Sequence, residues 1–137
     1  MKAITPYLTF DGSCREAMTF YQQCLGGELS LMPFSAQMPD LPPGSEHRTM
    51  HAYLKSGPVV VMGSDTMPGT TLTQGDNFSI NIDCESLDEI ERLFATLGEG
   101  GRVTMPLENT FWNARFGMLR DRFGVNWMFN YELSAPR

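Results

Sequence analysis

Two histidines, His47 and His51, are the only imidazoles in the 137 residues. His51 lies in an alternating stretch with Thr49 and Tyr53 on its own face, where it can act as a general acid or base because its pKa lies near working pH. The other reading is a hydrogen-bonded structural histidine. His47, at the loop end of the same stretch, reads as exposed. Asp65 could pair with His51 or ligate an ion, but after Gly63-Ser64 and before a turn it is more simply a turn residue. Arg115 and Arg120 could clamp a carboxylate or phosphate bidentately, or bridge to surface carboxylates. Cys14, Cys24 and Cys84 form neither an even set nor a Cys-x-x-Cys pair, so neither a disulfide framework nor a zinc knuckle is indicated. Cys24 falls on an apolar helix stripe as a core filler, whereas Cys14 sits near a helix N-terminus, where a reactive thiolate is favoured. Glu85, Asp88, Glu89 and Glu91 belong to a capped, solvent-facing helix start and carry no assigned chemistry.

The elements that position these residues occur twice. Ser13-Cys14-Arg15-Glu16 with Ala17, Phe20, Tyr21 and Cys24 is echoed by Ser86-Leu87-Asp88-Glu89 with Ile90, Leu93, Phe94 and Leu97. Each set predicts a helix, over about 13–25 and 86–97, opened by a Ser-x-x-Glu capping box and stopped by Gly26 or Gly98. A short alternating stretch precedes each helix, residues 7–10 and 78–82, and three extended segments follow each. These are about 27–35, 47–55 and 58–64 in the first copy, and 101–106, 114–121 and 126–133 in the second. The order is βαβββ twice, an α+β chain of two modules, about 1–64 and 77–137, in a single domain. Residues 65–76, with Pro68-Gly69 and Gly75-Asp76, read as the linker. Residues 36–46, with Pro39, Pro42, Pro43 and Gly44, read as a loop and flap, and residues 107–113 as its counterpart carrying Phe111-Trp112.

Strand alternation sorts the side chains. Leu8 and Phe10 belong under the first helix, leaving Tyr7 and Thr9 on the far face. Phe78, Ile80 and Ile82 oppose Asn77, Ser79 and Asn81. Met50, Ala52 and Leu54 oppose Thr49, His51 and Tyr53, while Trp127, Phe129 and Tyr131 oppose Asn126, Met128 and Asn130. The far faces are mostly neutral and polar, unlike solvated faces rich in Lys and Glu, which suits a curved mixed sheet around a cavity for a polar small molecule. The expected pocket is Tyr7, Thr9, His51, Tyr53, Met62, Asn77, Ser79, Asn81, Asn126, Met128 and Asn130, with Trp112 as a lid and Trp127 as core.

A net charge of −6 argues against nucleic acid as a partner. No apolar run reaches the ~20 residues of a membrane span and no signal-peptide pattern opens the chain, so the expected location is cytoplasmic and no membrane partner is expected.

Pro6-Tyr7-Leu8-Thr9-Phe10-Asp11-Gly12, Glu16-Ala17, Phe20-Tyr21 and Asp121-Arg122-Phe123-Gly124-Val125-Asn126-Trp127 resemble the vicinal oxygen chelate superfamily. Thr110-Phe111-Trp112 and Ser64-Asp65-Thr66-Met67-Pro68 resemble its PhnB-like branch. The resemblance implies a glyoxalase-like fold and a homodimer. Some members of that branch carry a demethylubiquinone methyltransferase label, yet no Gly-rich strand-to-helix turn for a nucleotide-bearing methyl donor is present. The superfamily's metalloenzymes hold one divalent ion with His, Gln or Glu. The matching positions here are Thr5 or Pro6, Met62, Asn77 and Met128, so no metal or other cofactor is expected. The expected function is a metal-independent small-molecule binder. The alternatives are a metalloenzyme, glyoxalase-like or dioxygenase-like, with a non-standard site around His51, and an interaction module with a vestigial pocket.

Overall fold

The computed structural model describes residues 1–36 and 40–133. It divides into two compact units, Met1–Thr73 and Gln74–Arg137. The first contains β1 (Tyr7–Phe10), α1 (Cys14–Leu25), β2 (Glu28–Pro33), a single 3-10 turn (Phe34–Ala36), β3 (Thr49–Ser56) and β4 (Val59–Asp65). The second contains β5 (Ile80–Asp83), α2 (Leu87–Leu97), β6 (Arg102–Asn109), β7 (Ala114–Arg120) and β8 (Asn126–Glu132). Each unit makes one four-stranded mixed sheet, in the orders β1-β4-β3-β2 and β5-β8-β7-β6. The pairs β1–β4 and β5–β8 are parallel and the rest antiparallel. This is the expected βαβββ order, with two helices and two sheets. No helix among the described residues is long and apolar enough to cross a membrane.

The helical stripes become the cores. α1 packs on β2, β3 and β4 and buries Ala17, Met18, Phe20, Tyr21 and Cys24, while the sheet supplies Leu8, Phe10, Ala52, Leu54 and Val61. α2 packs on β7 and β8 and buries Ile90, Leu93 and Leu97, with Leu119, Trp127 and Phe129 from the strands. Each fully buried side chain of this size contributes about 1.5–3 kcal/mol.

The helix starts differ from each other. At α2 the expected cap forms: Glu89 N–H donates to Ser86 Oγ at 3.0 Å, and Glu85 N–H donates to Glu89 Oε1 at 2.9 Å. At α1 Ser13 makes no side-chain cap bond, so the expected Ser13–Glu16 capping box is absent. Asp65 replaces it, accepting from the N–H groups of Gly12 at 2.7 Å and Cys14 at 3.0 Å. After α1 the chain turns at Gly26 and Gly27; Gly27 has φ +92°, and a Cβ there would lie 2.2 Å from the Lys55 carbonyl oxygen, a position no other residue fills.

Four boundaries depart from expectation. β2 ends at Pro33, which has no N–H for the ladder, and the register shifts there so that Met32 faces His51 and Pro33 faces Thr49. Met50 is thereby the extra residue of a bulge; Thr49 rather than Met50 is buried, against the expected alternation. β5 starts at Ile80, leaving Asn77, Phe78 and Ser79 ahead of the strand. β6 runs through Asn109 and takes in part of the expected 107–113 loop; it tolerates Pro106 because it is an edge strand. Asp65, expected to open the linker, is the last residue of β4. Pro39 of the expected flap lies outside the described residues.

Candidate functional site

Alternation and register together build the open face of the first sheet, the face turned away from α1. Leu8 and Phe10 are buried, while Tyr7 and Thr9 of β1 are exposed. On β4, Val61, Gly63 and Asp65 are buried and Met62 and Ser64 are half-buried between them. The register then sets Tyr7, Met62, Tyr53 and Ser30 in one row across four strands. Thr9 and Ser64 lead the next row, in which His51 faces Met32. Neither row carries an Asp, Glu, Lys or Arg side chain.

One contact ties the two rows. Tyr7 on β1 reaches over β4 to His51 on β3, with its Oη 3.1 Å from His51 Nδ1 and the rings stacked at 5.8 Å. When the phenol O–H donates, Nδ1 accepts and the imidazole proton sits on Nε2. Tyr7 remains 49% exposed, so the pair is open to a ligand on one side. His47 is exposed, as expected.

Asp65 is not part of this pair. It is 3% exposed on the helix side of β4, where Oδ1 accepts from Gly12 and Cys14 and Oδ2 accepts from Thr49 N–H at 2.8 Å. Nearby Arg48, which the sequence reading passed over, donates to Asp11 Oδ1 at 3.0 Å and to the Thr66 carbonyl at 2.8 Å. Together Asp65 and Arg48 lock the β1–α1 turn against the end of β4.

The second sheet presents a different face. Asn81, Met128, Met118 and Met105 form one row, and Asp83, Asn130, Phe116 and Glu108 the next. Asn81 Nδ2 donates to Asp83 Oδ1 at 3.0 Å and Asn130 Nδ2 to the same oxygen at 3.4 Å. Asn126 Nδ2 donates to the Phe78 carbonyl at 3.4 Å. Trp112 is 54% exposed and stands edge-on to Phe111 at 4.9 Å and to Phe116 at 6.0 Å. Phe116 and Met118 were missed because the strand Ala114–Arg120 mixes polar and apolar residues in both phases. The ladder places Asn81, Met128 and Asn130 together, whereas Asn77 and Ser79 precede it. Arg115 faces α2 and pairs with Glu91 at 2.8 Å, the carboxylate bridge that was its other reading.

Thioethers at Met62 and Met128, with Thr5 or Pro6 and the amide of Asn77, do not fit the divalent ion that the resemblance implies. Hard and borderline cations take imidazole and carboxylate donors in preference to neutral sulfur. Among the described residues, no group of three His, Cys, Asp or Glu side chains is placed to hold a metal ion.

The helix N-terminus does not make Cys14 a reactive thiolate. Cys14 is fully buried, and burial, reinforced by the Asp65 charge, pushes its pKa up to about 12. Burial, with Glu89 and Asp83, pushes Cys84 up to about 11 against the opposing effect of Arg92. At pH 8 a thiol reagent will modify these cysteines only after denaturation; rapid labelling of Cys14 in the folded chain would contradict the burial. Both folded pKa values exceed the unfolded value of about 8.5, so the folded state keeps protons that the unfolded state loses. Stability will therefore fall as pH rises from about 9 toward 12, and Cys14→Ala will flatten that slope.

The sequence of the family described as 3-demethylubiquinone-9 3-methyltransferase matches residues 2–129. Protein YjdN of Escherichia coli K12 is 33% identical over 97% of each chain. The crystal structure of PA1353 from Pseudomonas aeruginosa is 46% identical, covers 96% of this chain and 98% of its own, and superposes with a TM-score of 0.87. The PhnB protein of Bacillus cereus follows at 28% identity, covering 95% and 99%, with a TM-score of 0.79. A glyoxalase/bleomycin resistance protein/dioxygenase family enzyme of Burkholderia phytofirmans, 17% identical and covering 93% and 95%, shares the fold with a TM-score of 0.60. The tandem βαβββ units, the near full-length match, the likeness to a PhnB protein and the fold shared with a glyoxalase/bleomycin resistance protein/dioxygenase family enzyme agree: the chain belongs to the family described as 3-demethylubiquinone-9 3-methyltransferase.

Proposed function

We propose that the chain binds a polar small molecule, without a resident metal, on the open face of its first sheet. The observation that carries this reading is the Tyr7–His51 pair, which bridges β4 in the middle of two neutral rows. Tyr7, Thr9, His51, Tyr53 and Ser64 offer hydroxyl and imidazole groups, and Met62 between them offers an adaptable apolar floor. A merely solvated face would carry Lys and Glu. The methyl transfer in the family description is not part of the proposal. The start of α1 donates its Gly12 and Cys14 N–H groups to Asp65, and the start of α2 is closed by Ser86 and Glu89, so neither presents an open cradle to a nucleotide-bearing donor.

A second copy of the chain belongs to the same proposal. Edge strands β2 and β6 expose Leu31, Met32, Val103 and Met105, the apolar margin that a partner covers. A thermal-shift panel of polar metabolites, with metals and a chelator in parallel and sedimentation on the same samples, tests the whole reading. A ligand at a hundred times its Kd adds about 2.7 kcal/mol of stability. Tyr7→Phe or His51→Gln will weaken the best binder by about tenfold, the effect of one lost hydrogen bond. A large shift with a divalent metal and none with any organic compound would favour a metalloenzyme instead. A monomer at micromolar concentration would remove the dimer.

A further inference from the structure

Arg120 could clamp an anion or bridge to a surface carboxylate, and the structure gives it other companions. Register pairing on β6 and β7 sets Arg102 directly opposite Arg120. Like charges at opposed positions destabilise a ladder. Arg120 Nη2 donates to the neutral Gln74 Oε1 at 3.4 Å. Arg102, Arg120 and Arg122 line a cavity of about 410 Å³, shared with Gln74, Gly100, Gly101, Asp121, Phe123 and Gly124. Three of the ten cationic side chains of a chain with net charge −6 thus gather around one opening.

Glycines keep the opening clear. A Cβ on Gly124, at φ +89°, would lie 2.6 Å from Gln74 Oε1, and one on Gly100 would lie 3.2 Å from Arg122 Cδ. The Arg122 guanidinium sits 5.0 Å from the centre of the Phe123 ring, a cation–π contact that orients it. Asp121 is the carboxylate of the lining, and its oxygens accept hydrogen bonds within its own turn. Oδ1 takes the N–H groups of Phe123 and Val125, and Oδ2 takes Trp127 Nε1. Planar guanidinium forks match oxyanions bidentately, and the volume falls in the range of small-molecule sites.

We propose that this cavity, which lies wholly within the second unit, is a binding site for the phosphate or carboxylate group of a small metabolite. An oxyanion between Arg102 and Arg120 would turn their repulsion into attraction. The site shares no residue with the Tyr7–His51 face, and its test is independent of that reading.

The test is a backbone-amide NMR titration of the wild-type chain with inorganic phosphate, and separately with citrate, at constant ionic strength against chloride. Saturable shifts centred on Gly100, Gly101 and Gly124 are expected; the tighter of the two probes tells phosphate from carboxylate chemistry. Arg102→Gln and Arg120→Gln will each weaken binding by about tenfold, the loss of a charge-assisted bond. Each variant also removes one of two like charges, so its Tm will not fall, which separates lost binding from lost fold. Equal, non-saturating responses to phosphate, citrate and chloride would overturn the proposal, as would unchanged affinity in both variants.

Discussion

Asp65→Ala will destabilise the chain by about 3–5 kcal/mol in urea or thermal unfolding. The Asp65 carboxylate is buried and accepts from three backbone N–H groups, those of Gly12, Cys14 and Thr49. Each bond to an ionised acceptor contributes about 1.5–3 kcal/mol, and a buried donor left without a partner costs about 1–3 kcal/mol. The sum is discounted because water can enter the space left by the side chain. Asp65→Asn keeps the shape but has one acceptor oxygen and turns an NH2 group toward N–H donors, so its loss will approach that of alanine. A change below about 1 kcal/mol for either variant would mean that the turn finds other acceptors. The consequence reaches the open face, because Ser64 precedes Asp65 on β4 and β4 lies beneath the Tyr7–His51 bridge. The same variants will therefore bind any ligand of that face more weakly at temperatures where they are still folded.

Asp65 also shows which parts of the structure were legible in the chain. Its three partners lie 53, 51 and 16 residues away, and a contact at that separation leaves no mark on local spacing. A turn was therefore the natural reading of Gly63-Ser64-Asp65-Thr66. The helices were legible because the stripe of Ala17, Phe20, Tyr21 and Cys24 is written within one element. The strand faces of Tyr7 and Thr9 were legible for the same reason, with a period of two. The bulge at Met50 was not, because its cause is Pro33 on the neighbouring strand. The Arg102–Arg120 opposition likewise depends on a register that shifts between Val103 and Met105. Local periodicity gave the layout, while the buried carboxylate and the arginine cavity arise from pairings that only the folded sheet brings about.

Trp127→Ala will cost about 3–5 kcal/mol, and a cycle with Asp121→Ala will show about 1.5–3 kcal/mol of coupling. Trp127 is 1% exposed, and its Nε1–H donates to Asp121 Oδ2 at 2.8 Å. Asp121 Oδ1 holds the N–H groups of Phe123 and Val125, and Asp121 N–H donates back to the Val125 carbonyl at 2.8 Å. Gly124 supplies the left-handed residue, at φ +89°, that lets the β7–β8 hairpin close. The run Asp121-Arg122-Phe123-Gly124-Val125-Asn126-Trp127, which carried much of the resemblance to the superfamily, is thus a hairpin clasp that anchors the indole in the core. Trp127→Phe separates the two contributions: it retains most of the apolar burial and loses the bond to Asp121, and will cost about 1–2 kcal/mol. Coupling below about 0.5 kcal/mol would mean that backbone bonds alone hold the hairpin, and that the indole is retained for its volume. Coupling at the expected size ties the arginine cavity to the core, since Arg120 and Arg122 flank the carboxylate that the indole holds in place.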